Sequence, residues 1–230
     1  MSRRRMMFTK KKESAINWLG YVAEGLIACF DGEYNTRAGS NSTSKTWEDL
    51  SGNDNDATFT RISKGSNYMI LYDDDHYGGN LLRNLSSKTE LTVEVVFKPN
   101  AGETGFTLLT VNSSYFLFVA GTQLFLYGST QQPWYIDGYE ALTSLSVRYG
   151  TSPSLTEVRL NNSLAQRKGT ADYWGIWSYP QIGSREGYTP TNSPGNKFAG
   201  NIYSIRVYDR ALTKEEIDIN YANDKKRFGI

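Results

Sequence analysis

Residues 198–228 read FAGNIYSIRVYDRALTKEEIDINYANDKKRF, and along this closing stretch the apolar period changes once, from that of a strand to that of a helix. The run NIYSIRVY at 201–208 is rich in β-branched and aromatic residues, the composition of a strand. Thr213 then stands three residues before Glu216. In such a capping box the hydroxyl accepts the Glu216 backbone N–H and the Glu216 carboxylate accepts the Thr213 amide. Leu212 and Ile217 flank the cap as an apolar staple. A short helix over about residues 214–224 follows, seated through Ile217 and Tyr221 at i, i+4 spacing. Lys225, Lys226 and Arg227 suit its negative C-terminal end.

Upstream of this stretch, back to about Leu26, short apolar runs alternate with Gly, Asn, Ser and Asp, which is the pattern of strands and turns. Candidate strands fall at 68–72, 91–98, 106–111, 115–120, 123–127, 144–149, 155–160 and 201–208. In LTVEVVFK, Leu91, Val93, Val95 and Phe97 alternate with Thr92, Glu94, Val96 and Lys98, so the strand is expected to cover a core on one side and face solvent on the other. Asn161 and Asn162 sit between Leu160 and Leu164 and tolerate the positive φ of a tight hairpin. With 16 Tyr and 10 Phe favouring strands, the expected class is all-β: a two-sheet antiparallel jelly-roll sandwich with a short C-terminal helix. The Gly-, Pro- and Ser-rich segment 183–196 reads as an ordered rim loop.

The net charge of +1 is unevenly spread. Arg3, Arg4, Arg5, Lys10, Lys11 and Lys12 precede the first acid, Glu13, and without them the chain carries 19 basic against 24 acidic residues. The division is a basic N-terminal arm at 1–16 and one folded body at 17–230. A mildly acidic body argues against nucleic-acid binding by the fold, while the arm suits phosphates or an acidic partner surface. The single cysteine, Cys29, excludes an intrachain disulfide and reads as a small core residue. The segment 15–30 is interrupted by Asn17 and Glu24, so neither a signal peptide nor a membrane span is expected.

Two stretches together carry a resemblance. GLIACFDGEYN with WEDLSGNDNDATF (25–35 and 47–59), and IGSR with the closing run (182–185 and 198–228), resemble the opening strand, the W-x-D-x-S-G-x-x-N loop and the closing strand and helix of laminin-G-like members of the concanavalin A superfamily. These are common in bacterial surface proteins and phage virion proteins. The resemblance covers about residues 25–228. It implies a fold, and a fold hosts many activities.

Glucanases on this scaffold carry paired glutamates on one strand, because nucleophile and acid must flank one bond about 5 Å apart. No such run exists here. Glu94 and Glu157 each stand alone and read as solvent-facing strand residues, so no catalytic residue and no enzymatic activity are expected. The resemblance implies calcium as a candidate ion, with Asp31, Asn53 and Asp54 as oxygen donors. Against it, the family's acid on the closing strand is replaced by Tyr203 and Ser204, and Asp or Asn at these places equally form turns. No other cofactor is implied. For sugars, which need flat aromatic faces, the candidates are Trp134 and Tyr135 in the loop 133–139 and Trp174, Trp177 and Tyr179 in the loop 172–180. Asp137, Asp172 and Asn192 are their polar partners. Intersubunit packing and core filling are the competing roles for these aromatics.

The functional expectation is a non-catalytic virion structural or attachment protein of a bacteriophage: a capsid decoration, head fibre or tail-associated protein. Its arm would dock on other virion proteins or copies of itself, and its lectin-like body would contact surface glycans. The alternative is a carbohydrate-binding module of a bacterial secreted or cell-surface system, and the third is a glycoside hydrolase.

Overall fold

The computed structural model describes residues 19–34, 45–59, 61–72, 89–111, 114–126, 132–150, 156–167, 180–183 and 197–230. The arm at 1–16 lies outside the described residues, as do Trp174, Trp177, Tyr179, Asp172 and Asn192.

The larger of two antiparallel sheets runs in the order β13 (Ser163–Leu164), β12 (Glu157–Leu160), β11 (Thr143–Tyr149), β6 (Leu91–Pro99), β16 (Gly200–Tyr208), β5 (Met69–Leu71) and β4 (Ser63–Lys64), and β1 (Leu26–Asp31) also pairs with β16. The smaller runs β14 (Gln166–Arg167), β10 (Gln132–Tyr135), β9 (Gln123–Leu126), β8 (Ser114–Ala120), β7 (Gly105–Val111) and β15 (Pro180–Ile182). A ribbon of β2 (Thr46–Trp47) and β3 (Ala57–Thr58) stands apart from both, and helix α1 (Lys214–Phe228) closes the chain.

The inner faces meet in one apolar cluster, in which Leu91, Val93, Val95 and Phe97 of β6 join Phe106 of β7, Leu117 and Val119 of β8, and Leu124 and Leu126 of β9. Phe97, Phe106 and Phe198 pack edge to face, with centroids 5.3–6.0 Å apart. Full burial of each such side chain contributes about 1.5–3 kcal/mol, so the two sheets are held by strand alternation rather than by any single contact. The Asn161-Asn162 turn forms as expected, with φ of 48° and 65°, and it joins β12 to β13 through the Leu160/Ser163 pair.

The expectation for the opposite face of β6 fails. Thr92, Glu94 and Val96 are all buried, because that face lies beneath α1 and the N-terminal segment. β16 serves the same two faces by means of a β-bulge between Ile202 and Ser204. The extra residue keeps Ile202 and Ile205 in the inner core, although they are three apart, while Tyr203 joins the outer cluster with Val96 and Phe228. The bulge also marks where the neighbour of β16 changes from β5 to β1. At the start of β16, Gly200 has φ 152° and approaches β6 so closely that a Cβ would meet the Lys98 carbonyl, which makes glycine obligatory there.

Helix α1 begins with the expected capping box on Thr213 and Glu216 and ends at Gly229 in the left-handed conformation, φ 75°. It runs longer than the sequence suggested, and its seat differs too. Ile217, Asn220, Asp224 and Phe228 are the buried residues, whereas Tyr221 is only half-buried. The face turned to the sheet is therefore half polar, a choice that apolar spacing could not reveal.

Candidate functional site

Trp134 and Tyr135 of β10 face opposite sides of the small sheet. Trp134 is 2% exposed and belongs to the inner core, while its neighbour Tyr135 is 42% exposed. The pattern continues with Ile136 buried and Asp137 exposed. This corrects the expectation for residues 133–139: the first part is a strand, and Trp134 fills the core and is unavailable for stacking on a ligand. Tyr135 has the exposed ring that a sugar platform needs.

The β12/β13 hairpin positions the other wall. Ser163 and Leu164 sit on the edge of the large sheet, and Gln166 and Arg167 then pair with Tyr135 and Trp134 on the edge of the small one. The crossing is fixed at Ala165, whose N–H donates to the Val158 carbonyl at 2.8 Å. The chain thus closes one side of the sandwich and leaves an open cleft of about 330 Å³ there, lined by Tyr135, Asp137, Asn161, Ser163, Leu164 and Gln166 over a floor of Ile136 and Leu160. That is the small end of the range for small-molecule sites, about 300–1,000 Å³. Two of the three exposed large hydrophobic residues among those described, Tyr135 and Leu164 at 42% and 61%, line this one cleft. Asn161 uses its Oδ1 to accept the Ser144 N–H at 2.9 Å, and Asp137 Oδ1 accepts the Gly138 N–H at 3.0 Å. Sequence reasoning named Tyr135 and Asp137. It missed Ser163, Leu164 and Gln166, whose only signal was the Asn-Asn turn, because the crossing between sheets is a tertiary event.

The densest polar cluster lies elsewhere, on the outer face of the large sheet. Arg206 of β16, 1% exposed, donates to Glu94 Oε2 at 2.9 Å and holds Asp224 with two bonds of 2.8 and 2.6 Å. Its guanidinium lies over the Tyr21 ring at 4.1 Å, and Tyr21 donates its hydroxyl to Asp224 at 2.7 Å. Asn220 bridges the helix to the sheet, donating to Glu94 and to the Tyr208 hydroxyl and accepting the Val22 N–H. Burial pushes the Glu94 carboxyl upward against the pull of Arg206. The partner carboxylates hold the Arg206 guanidinium well above its ordinary value, so it stays charged despite its own burial. Glu94 is therefore not the solvent-facing residue expected. Two carboxylates do converge here, but under a helix and on a shared guanidinium, where no substrate reaches them.

Asp31 is likewise engaged. Arg227 of α1 grips it with Nη1 to Oδ2 at 2.7 Å and Nη2 to Oδ1 at 3.0 Å, and Oδ1 also accepts the Glu33 and Tyr34 N–H groups. Asn53 is bonded at the other end of β1, donating to the Leu26 and Ile27 carbonyls. Ile27 lies four strand residues from Asp31, or about 13 Å. Asp54 is exposed with φ 57°. The structure thus does not gather Asp31, Asn53 and Asp54 into one donor set, and a guanidinium stands beside Asp31 where a cation would. Among the described residues no group of three or more His, Cys, Asp and Glu is arranged to hold a metal ion.

The loop that supplies Asn53 has another task. Asp49, fully buried, accepts the Cys29 N–H, the Ser51 N–H and hydroxyl, and the Asn55 N–H. Ser51, Asn53 and Asn55 all donate to the Ile27 carbonyl. These side chains satisfy the edge of β1 that faces away from β16, as a neighbouring strand otherwise would. Cys29 is buried beneath this loop, and burial pushes its thiol up.

No protein-family model matches the chain, and no curated protein matches it. Solved structures do. Trypanosoma rangeli sialidase in complex with sialic acid aligns over 97% of this chain and 39% of its own, with a TM-score of 0.68 and 13% identity. The binding domain of botulinum neurotoxin serotype D aligns over 90% of this chain and 53% of its own, with a TM-score of 0.65 and 15% identity. Domain 4 of a GH43 extracellular arabinanase from Geobacillus stearothermophilus, in complex with arabinotriose, aligns over 84% of this chain and 97% of that domain, with a TM-score of 0.56 and 16% identity. At such identities the likeness shows the fold, an antiparallel β-sandwich. The chain spans about two fifths of the length of the sialidase, at 39%. Among the described residues no helix is long and apolar enough to cross a membrane.

Proposed function

We propose that this chain is a non-catalytic carbohydrate-binding β-sandwich of the laminin-G-like kind, and that its contact with sugar is the edge cleft between β10 and the β12/β13 hairpin. The observation that carries the reading is the exposed Tyr135 ring beside Leu164, with Asp137, Ser163 and Gln166 around it. An exposed ring meets the C–H face of a sugar, and hydroxyl, amide and carboxylate groups meet its hydroxyls. The arabinanase domain solved with arabinotriose, matched over nearly its whole length, supports the same class of ligand. Hydrolysis would need carboxylates other than Glu94 and Asp224, which are buried against Arg206. The test is titration of the full chain with arabinotriose and other oligosaccharides. Tyr135→Ala abolishes binding and leaves the melting temperature unchanged; binding that survives this substitution removes the cleft from the proposal.

The basic arm favours a setting for such a body. Arg3, Arg4, Arg5, Lys10, Lys11 and Lys12 would dock it on virion proteins or on copies of itself, leaving the cleft to meet a glycosylated surface, with a secreted or cell-surface location as the alternative. Mass spectrometry of purified virions or of the bacterial surface fraction decides between the locations.

A further inference from the structure

We infer that the edge cleft selects uncharged sugars and rejects those bearing a carboxylate, an inference that rests on the cleft being the glycan site proposed above. The observation is the charge of its wall. Asp137 is exposed, and the Gly138 N–H fixes its Oδ1 at 3.0 Å, while Oδ2 has no hydrogen-bond partner among the described residues. The other polar groups at the cleft, those of Asn161, Ser163 and Gln166, are neutral, and no lysine or arginine is among the described residues that line it. Gln166 stands directly opposite Tyr135 in the strand register, so an amide and a ring share one face.

This arrangement treats two kinds of sugar differently. A neutral hydroxyl donates to the oriented Asp137 carboxylate in a charge-assisted bond, while its ring rests on Tyr135 and Leu164. A carboxylated sugar in the same place sets two like charges together, with no lysine or arginine among the described lining residues to offset them, which works against that ligand. The body as a whole reinforces the effect, since residues 17–230 carry 23 acidic against 19 basic residues, Glu13 lying in the arm.

The test is calorimetric titration of the full chain with a neutral panel (arabinotriose, lactose, galactotriose, cellotriose) and a carboxylated panel (3′-sialyllactose, trigalacturonate), repeated on Tyr135→Ala and Asp137→Asn. The expected result is binding of at least one neutral sugar, at least tenfold weaker binding of every carboxylated one, loss of binding in Tyr135→Ala, and a narrowing of the gap in Asp137→Asn. A carboxylated sugar that binds as tightly as the best neutral one, and loses its affinity in Tyr135→Ala, overturns the selectivity and leaves the glycan site standing. A gap unchanged in Asp137→Asn overturns the charge mechanism. No binding by either panel, or binding indifferent to Tyr135→Ala, removes the glycan site and this inference with it.

Discussion

The outer face of the large sheet and the edge cleft are built from the same kinds of residue and serve opposite ends. Beneath α1, Arg206, Glu94, Asp224, Asn220, Tyr21 and Tyr208 bond to one another in a buried network that Ser204, Val22 and Arg227 extend. In the cleft, Tyr135 and Asp137 point outward with capacity to spare. The difference teaches that in this chain polar residues on a buried face fix the fold, while polar residues beside an exposed ring keep bonding capacity that the fold does not use. A buried charge tolerates no missing partner, since desolvation is offset only by the full set of bonds. An exposed one is solvated and replaceable.

The largest break in that comparison comes from Arg206→Ala, which strands Glu94 and Asp224 without a counter-charge. It is expected to destabilise the protein by about 3–5 kcal/mol, read as a lower urea midpoint. Arg206→Lys should not rescue it, because one ammonium cannot span two bonds to Asp224 and one to Glu94. A wild-type midpoint for either variant would show that this buried network does not hold the helix down. Next comes Trp134→Ala, which opens a cavity at the end of the inner core and is expected to cost about 3 kcal/mol by thermal melting; a change within error would return Trp134 to the surface.

A smaller effect sharpens the picture at the start of α1. The Arg210 guanidinium and the Thr213 cap hold the Glu216 carboxyl at about 2, below its ordinary 4.5. A depressed folded-state value stabilises the protein fully above the unfolded one and loses that contribution as pH falls through the folded one. Glu216→Gln should therefore lower stability by about 1 kcal/mol at neutral pH, and the gap from wild type should close between pH 4.5 and about 2. A gap constant across that range would mean that the ionised pair contributes nothing. The smallest effect is that of Tyr135→Ala on folding, within about 0.5 kcal/mol, measured on the same melting curve as Trp134→Ala. Neighbours in sequence, the two residues should differ by several-fold in their cost to stability.

Much of the fold was legible in the chain. The alternation of LTVEVVFK, the Asn161-Asn162 turn and the Thr213/Glu216 box each act over a few residues, so their geometry follows from local chemistry. β10 was not read as a strand, because PWYIDGY offers a proline and a glycine beside its aromatics, and its pairing with β14 on one side comes from a distant segment while β9 precedes it as a hairpin partner on the other. Of the five proposed sugar contacts, Trp134 and Tyr135 differ only in which side of the small sheet they face. Only the strand register settles that.

The sequence by itself determined two sheets, a closing strand and a capped helix, since alternation, turn residues and caps are properties of neighbours along the chain. Tertiary structure alone decided which polar residues are spent and which are offered. Glu94 and Asp31 find their arginines 112 and 196 residues away, and the cleft exists because β13 and β14 lie on different sheets. Charge partners and edges are made by distant segments meeting, and no local pattern encodes that meeting.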